Sequence, residues 1–304
     1  IAPSTISPTL RGRRSGRELY IGGYGSRSMP ELPEVETTRR HIAPVLEGAR
    51  ISAVELGRDR MARRNMRPQD IPERLLGRRV GRVGRRGKFL LIEVEGDLTW
   101  VIHLGMSGRM RITSPSDPLD PHTQLVVTTD RGDQVRLIDP RTFGFVAVFT
   151  PEELEHDSLA ALGPDALEEL PDAATLGARL AGRRAPIKAL LLDQRILAGL
   201  GNIYADEVLF RARVRPTRPG GDLTPEELAD LVAAIPEVLL AGVEMGGTSL
   251  DDLAYLLPDG RAGEYLDRLM VYGRAGEPCL VCGTPIERVV VAQRSSHFCP
   301  TCQR

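Results

Sequence analysis

The chain has 304 residues, 41% of them hydrophobic, and its 40 basic and 41 acidic side chains leave a net charge of −1. That is enough apolar material for a sizeable core and suggests two domains. No apolar run approaches the ~18 residues a membrane span needs, the charge balance excludes a simple polycation, and four cysteines without a secretory leader argue against a disulfide-stapled scaffold.

Residues 1–28 are rich in Gly, Ser, Pro and Arg and lack the apolar segment of a leader. They read as a disordered extension, or as a mis-set start upstream of Met29. The run Met29-Pro30-Glu31-Leu32-Pro33-Glu34-Val35-Glu36 then admits two readings. Prolines and acidic residues suit a helix start. A helix over 31–46 follows from the stripe Val35, Ile42, Val45 and Leu46, with Gly48 ending it. Alternatively, if the working chain begins at Pro30, its nitrogen is a secondary amine. Such an amine is a nucleophile toward an aldehyde or aminal carbon and is partly unprotonated near neutral pH.

Between Arg58 and Lys88 lie twelve basic and three acidic residues, the footprint expected of a polyanion-binding face unless the run is paired off internally. Lys88 and Lys188 are the only lysines, which suggests sites needing a compact ammonium. Short strands are predicted over 51–56, 79–85, 88–95, 99–104, 109–112, 124–129, 134–138 and 145–150. Turn residues separate several of them, as in an antiparallel sandwich or barrel. After Pro151 the pattern turns helical: 164–170, 175–181, 187–192, 203–212, 225–241 and a short 250–256. The acidic stretch 152–172 reads as the junction between the halves.

All four cysteines form two CxxC pairs, Cys279/Cys282 and Cys299/Cys302, sixteen residues apart. The spacing predicts one structural Zn²⁺ held by four thiolates in a ribbon hairpin, in preference to two disulfides. Arg294, between the pairs, is placed to touch phosphate or solvent. In Leu200-Gly201-Asn202-Ile203, glycines lead into a helix whose free N–H groups and Asn202 amide form either an anion site or an ordinary cap. Lys88 in Arg85-Arg86-Gly87-Lys88 opens a strand at a sheet edge, where it could grip a phosphate or a reacting sugar. Met106 in His103-Leu104-Gly105-Met106-Ser107-Gly108 and Phe143 in Asp139-Pro140-Arg141-Thr142-Phe143-Gly144 are apolar residues on turns, suited to core packing or to wedging between stacked bases.

Taken together in order, from Met29 to Arg304, these motifs and the runs Pro30–Thr38 and Val271–Cys279 resemble the bacterial formamidopyrimidine-DNA glycosylase family. The resemblance implies an α+β fold: an N-terminal antiparallel β-sandwich with a flanking helix, a helical domain with a helix–two-turns–helix element, and a zinc-ribbon β-hairpin. The expected units are residues 29–150, 151–265 and 266–304. It implies a base-excision enzyme that removes oxidised purines, 8-oxoguanine and formamidopyrimidines, from duplex DNA. The abasic strand would then be cut by β,δ-elimination through a Schiff base. By position, Pro30 corresponds to the nucleophile, Glu31 to its acid/base partner and Lys88 to an assisting lysine. Met106, Arg141 and Phe143 would fill the gap left by the flipped base, with Arg141 facing the orphaned cytosine. His103, Asn202 and Arg294 would grip phosphates, and Lys188 would lie near the DNA. Thr142 departs from members with a second arginine there. The implied protein is a monomer of the bacterial cytoplasm, held at the nucleoid by DNA, with no membrane partner. Two alternatives are an endonuclease VIII-like glycosylase for oxidised pyrimidines and, if residues 1–28 are retained, a non-catalytic zinc-ribbon DNA-binding protein.

Overall fold

In the computed structural model residues 29–250 and 255–304 are described. The expectations for 1–28 and for part of a 250–256 helix therefore lie outside the described residues. Helix α1 (Leu32–Leu46) starts where Glu34 reaches back to accept the Glu31 backbone N–H at 2.8 Å, and Pro33 occupies the first turn, where no intrahelical bond is lost.

The strands follow in chain order: β1 (Ile51–Leu56), β2 (Val80–Arg86), β3 (Phe89–Val94), β4 (Leu98–His103), β5 (Arg109–Thr113), β6 (Thr123–Thr129), β7 (Gln134–Ile138) and β8 (Phe145–Phe149). They form two four-stranded sheets, β1-β6-β7-β5 and β2-β3-β4-β8, with every neighbouring pair antiparallel. The inner faces meet in one core built on Ile51, Val83, Leu90, Ile92, Trp100, Val127 and Leu137. This is the sandwich the short alternating runs imply. Helix α2 (Asp70–Leu75), which the strand-and-turn pattern did not suggest, plugs one end with buried Ile71 and Leu75.

The second half holds α3 (Pro151–His156), α4 (Ala173–Leu180), α5 (Ile187–Leu192), α6 (Asn202–Arg211) and α7 (Pro225–Glu244). Thr150-Pro151-Glu152-Glu153 and Thr224-Pro225-Glu226-Glu227 start α3 and α7 with the same capping box. The helix expected over 164–170 is absent. Asp165 accepts the Leu167 and Glu168 backbone N–H groups at 2.9 and 3.1 Å, and an aspartate that bonds its neighbours' backbone favours a turn over a helix. The chain ends in a hairpin of β9 (Glu287–Val291) and β10 (Arg294–Phe298). Its Ala292-Gln293 turn has both φ values positive, 47° and 62°.

Two cores meet at α1. Leu32 belongs to the helical core with Tyr204, Leu209, Leu231 and Leu239, while Val35, Ile42 and Leu46 belong to the sandwich core. A buried ion pair adds a second join. Arg85 on β2 forks onto Asp165, Nη2 to Oδ1 at 3.0 Å, and Asp165 Oδ2 also accepts the Gly87 N–H at 2.7 Å. Both side chains are at most 2% exposed. Burial raises the Asp165 pKa, but Arg85 outweighs it and the net shift is downward. Asp157, Glu153, Glu168 and Glu169 of the acidic stretch also pair with arginines 64, 74, 85 and 86, but Asp165 is the deeply buried one.

Removing one partner of a buried pair strands the other's charge, at a cost of about 3–5 kcal/mol. Asp165→Asn should lower the urea-unfolding free energy by that order. Arg85→Met/Asp165→Leu should recover part of it. An Asp165→Asn protein as stable as the parent would show that the pair does not join the halves.

Candidate active site and nucleic-acid interface

The carboxylate of Glu31 is held by the start of another helix. Its Oε1 accepts the Ile203 N–H at 2.9 Å and its Oε2 the Tyr204 N–H at 3.3 Å, both in the first turn of α6. Leu32 N–H donates to the Gly199 carbonyl at 3.1 Å beside it. The glycine-led helix start, read from sequence as a site for an external anion or as an ordinary cap, is occupied by the chain's own Glu31 carboxyl. Gly201 is required for this approach. A Cβ there would lie 2.2 Å from Glu31 Cδ.

Burial is the largest influence on Glu31. It lifts the pKa from 4.5 to about 7, with Lys88 opposing, Glu34 adding, and the two backbone donors opposing. Glu34 is the residue the sequence did not mark. It is wholly buried and bonds, besides the Glu31 N–H, the Tyr204 hydroxyl at 2.8 Å and the Thr248 N–H at 2.7 Å. One signal was available: an acidic residue three places after another at a helix start.

Lys88 sits in the β2–β3 turn, buried, and burial pushes its pKa down against the pull of Glu31 and Glu34. His103, at the end of β4, packs on Phe89 and Phe145 at centroid distances of 4.7 and 5.6 Å. Burial, with Lys88 and two arginines adding, drives its pKa to about 3, so it is neutral. Its Nδ1 accepts the Gly105 N–H at 3.1 Å, which leaves the proton on Nε2 as a donor.

Glu31, Lys88, His103, Met106, Asn202 and Arg294 line one cavity of about 640 Å³, with Met29 also on its wall. Pro30 is buried between Met29 and Glu31. Asn202 Oδ1 is buried with no hydrogen-bond partner, and its Nδ2 lies 3.5 Å from the Tyr272 hydroxyl. Arg294 comes from the hairpin tip and is exposed.

Two loops beside the cavity are stapled by Asp139. Its Oδ1 accepts the Ser107 hydroxyl at 2.6 Å and the Arg141 N–H at 3.2 Å, and its Oδ2 accepts the Gly144 N–H at 2.9 Å. Gly105 has φ +67° and packs so closely that a Cβ would lie 2.2 Å from Gly144 N. Met106 and Phe143 are therefore on rigid turns. Phe143 is 42% exposed, against the core-packing reading, and carries Arg141 over its ring at 4.5 Å.

Lys188 does not reach the cavity. It is fully buried, 2.7 Å from Asp206 Oδ1 and 2.6 Å from the Ser295 carbonyl. It ties α5 and α6 to the hairpin that carries Arg294. Several arginines of the basic run 58–88 are engaged within the chain, although Arg58, Arg60, Arg63, Arg67, Arg79 and Arg82 remain exposed. Arg64, Arg67, Arg74 and Arg85 pair with carboxylates, and Arg63 holds the Phe143 and Gly144 carbonyls.

The sulfur atoms of Cys279, Cys282, Cys299 and Cys302 lie within 4.8 Å of one another, with contacts of 3.9 and 3.4 Å. These exceed a disulfide's ~2.05 Å and match thiolates around one tetrahedral zinc with ~2.3 Å bonds. Phe210, Val271 and Ile286 pack against them.

Three family models cover the chain. They are described as the formamidopyrimidine-DNA glycosylase N-terminal domain (residues 29–146), its H2TH domain (162–253) and a zinc finger found in FPG and IleRS (276–304). The formamidopyrimidine-DNA glycosylase of Gluconobacter oxydans is 45% identical over 281 residues, 91% of this chain and all of that protein. A Thermus thermophilus relative is 46% identical over 90% of this chain and 98% of its own length. The solved Thermus structure has a TM-score of 0.80 at 44% identity, covering 90% of this chain and 98% of that one. The Lactococcus lactis Fpg in complex with abasic-site DNA has 0.82 at 32%, covering 90% and 100%.

Because the folded-state value for Glu31 lies above the unfolded one, the folded protein holds that proton more tightly. Its contribution to stability then falls by roughly 3 kcal/mol as pH rises from about 4.5 toward 7. A ¹³C-detected carboxyl titration should place Glu31 near 7. A midpoint near 4.5 would overturn the burial account.

Proposed function

The chain belongs to the formamidopyrimidine-DNA glycosylase family, and from that premise we propose that it removes oxidised purines from duplex DNA and cuts the resulting abasic strand. The observation that carries this reading is the Glu31 carboxyl, proton-holding near neutral pH, which lines one cavity with Lys88 and directly follows Pro30 in the chain. The similar Lactococcus protein is described in complex with abasic-site DNA and with DNA containing Fapy-dG.

The target atom lies inside a duplex, so the nucleotide must be extruded. Met106, Arg141 and Phe143 would occupy the gap, offsetting part of the unstacking cost, and Arg141 would donate to the orphaned cytosine. His103 Nε2–H, the Asn202 side chain and Arg294 would hold phosphates. Pro30 as an N-terminal amine attacks C1′, the bond from C1′ to the base breaks and the base leaves with the amine's proton; Glu31 then protonates O4′ as the C1′–O4′ bond opens. The resulting iminium acidifies the C2′ hydrogen. Its loss expels the 3′ phosphate, and a second elimination expels the 5′ phosphate. The four thiolates hold one structural zinc, which keeps the Arg294 hairpin in place and takes no part in these steps.

This chemistry requires the working chain to begin at Pro30, since a Met29–Pro30 amide has no nucleophilic lone pair. The matched family span begins at residue 29, in keeping with that start. Residues 29–150, 151–265 and 266–304 would be the sandwich, helical and zinc-ribbon units. The setting is the bacterial cytoplasm, at the nucleoid. Among the described residues no helix is long and apolar enough to cross a membrane.

A protein starting at Pro30 should give a borohydride-trapped adduct with 8-oxoguanine duplex. Pro30→Gly should weaken trapping, Glu31→Gln should abolish base excision, and a chain still carrying Met29 should give no proline adduct. No adduct from the Pro30-starting protein would sink the mechanism. Separately, Arg141→Ala should lose about 1–3 kcal/mol of preference for cytosine opposite the lesion, read from cleavage of duplexes differing only at that base. An unchanged preference would remove Arg141 from that role.

A further inference from the structure

A second cavity, of about 340 Å³, is walled by Arg179, Arg183, Arg195, Asp193 and Ile196. Asp193 also lines the first cavity, so the two share a wall. Three guanidinium groups face one carboxylate, and that carboxylate is already taken. Arg195 grips it through Nε at 2.9 Å and Nη2 at 2.8 Å. Arg179 and Arg183 form no ion pair among the described residues. Two like charges are thus left over at a concave surface.

Two of these guanidinium groups, those of Arg183 and Arg195, are held in place. Arg183 Nε donates to the Arg179 carbonyl at 2.9 Å, at the end of α4. The loop carrying Arg183 is braced from behind: Gly221 N–H donates to the Arg183 carbonyl at 2.9 Å, and Gly220 N–H to the Ala185 carbonyl at 3.0 Å. Gly221 is pressed so close that a Cβ would lie 3.0 Å from Arg183 N. Arg195 is fixed by its fork on Asp193. Held guanidinium groups lose less entropy on binding an oxyanion than flexible ones do. The contrast with the run 58–88 is informative, because there most arginines already have carboxylate or carbonyl partners.

We propose that this cavity is a further phosphate subsite, taking a backbone phosphodiester of the bound duplex beyond the nucleotide held in the first cavity. The shared Asp193 wall gives the strand a continuous path from Asn202 to the arginines. A tetrahedral oxyanion suits the planar forks of Arg179 and Arg183, and the cavity has ample room for one such group with its ester neighbours. This inference rests on the reading of the first cavity as a DNA site.

The test is the salt dependence of binding by the full chain and by Arg179→Gln/Arg183→Gln, measured by anisotropy on abasic-analogue duplexes. One duplex stops at the phosphates next to the lesion, and the other runs one helical turn further on each side. On the longer duplex the variant's slope of log K against log salt should be shallower by about 1, the value for one phosphate no longer neutralised. On the shorter duplex parent and variant should coincide. Arg179→Lys/Arg183→Lys, which keeps the charge, should restore most of the slope and serves as a check on folding. Equal slopes on the longer duplex would overturn the proposal, and so would an equal loss on both lengths, which would mean a diffuse charge effect. Inorganic phosphate that weakens parent and variant alike on the longer duplex would also count against a discrete subsite. If the parent does not prefer the abasic-analogue duplex over an undamaged one, the reading of the first cavity fails instead, and the two failures are told apart.

Discussion

The contact on which the rest depends is a carboxylate at a helix start: Glu31 against the first N–H groups of α6. Those donors have no intrahelical partner, so some acceptor must meet them. Here the acceptor comes from the other half of the molecule, 172 residues away in sequence. One interaction therefore caps a helix, joins two cores and fixes a titratable group at the mouth of a cavity. Because burial keeps that group's proton near neutral pH, the structural role and the chemical role draw on the same desolvation.

Helix α6 carries further joins within four residues, Tyr204 to Glu207. Tyr204 turns toward Glu34 and Thr248. Asp206 turns toward Lys188 and accepts from the Ser296 hydroxyl and the His297 N–H of β10. Glu207 accepts the N–H groups of Met270, Val271 and Tyr272, the strap leading to the zinc ribbon. Three units are thus positioned from one ten-residue helix, and an exposed hairpin arginine is located by buried groups behind it.

The sequence made the strands and most helices legible because their periodicity is local, and the cysteine spacing named the metal centre for the same reason. What it could not convey was partnership across the chain. Arginines 64, 67, 74 and 85 look like an open basic face when counted and prove to be paired when folded. Lys188 matched a motif but faces inward. Asp165 lies in an expected helix and instead organises a turn around Arg85. Two acidic residues within an apolar helix, Asp206 and Glu207, were the visible hint, since buried carboxylates need partners. The start of α3 was also readable, as it repeats the Thr-Pro-Glu-Glu that opens α7.

Trp100 is the single tryptophan of the chain and lies wholly buried between the two sheets. Indole emission from this protein is consequently a private signal of the sandwich, silent about the helical unit and the zinc ribbon except through what those units do to it. The tyrosines among the described residues are distributed differently. Tyr204, Tyr255, Tyr265 and Tyr272 are buried in the helical half and its strap. Among the described residues the two chromophores thus divide along the same boundary that Glu31 and Asp165 hold closed, and each side of it carries a separate optical label.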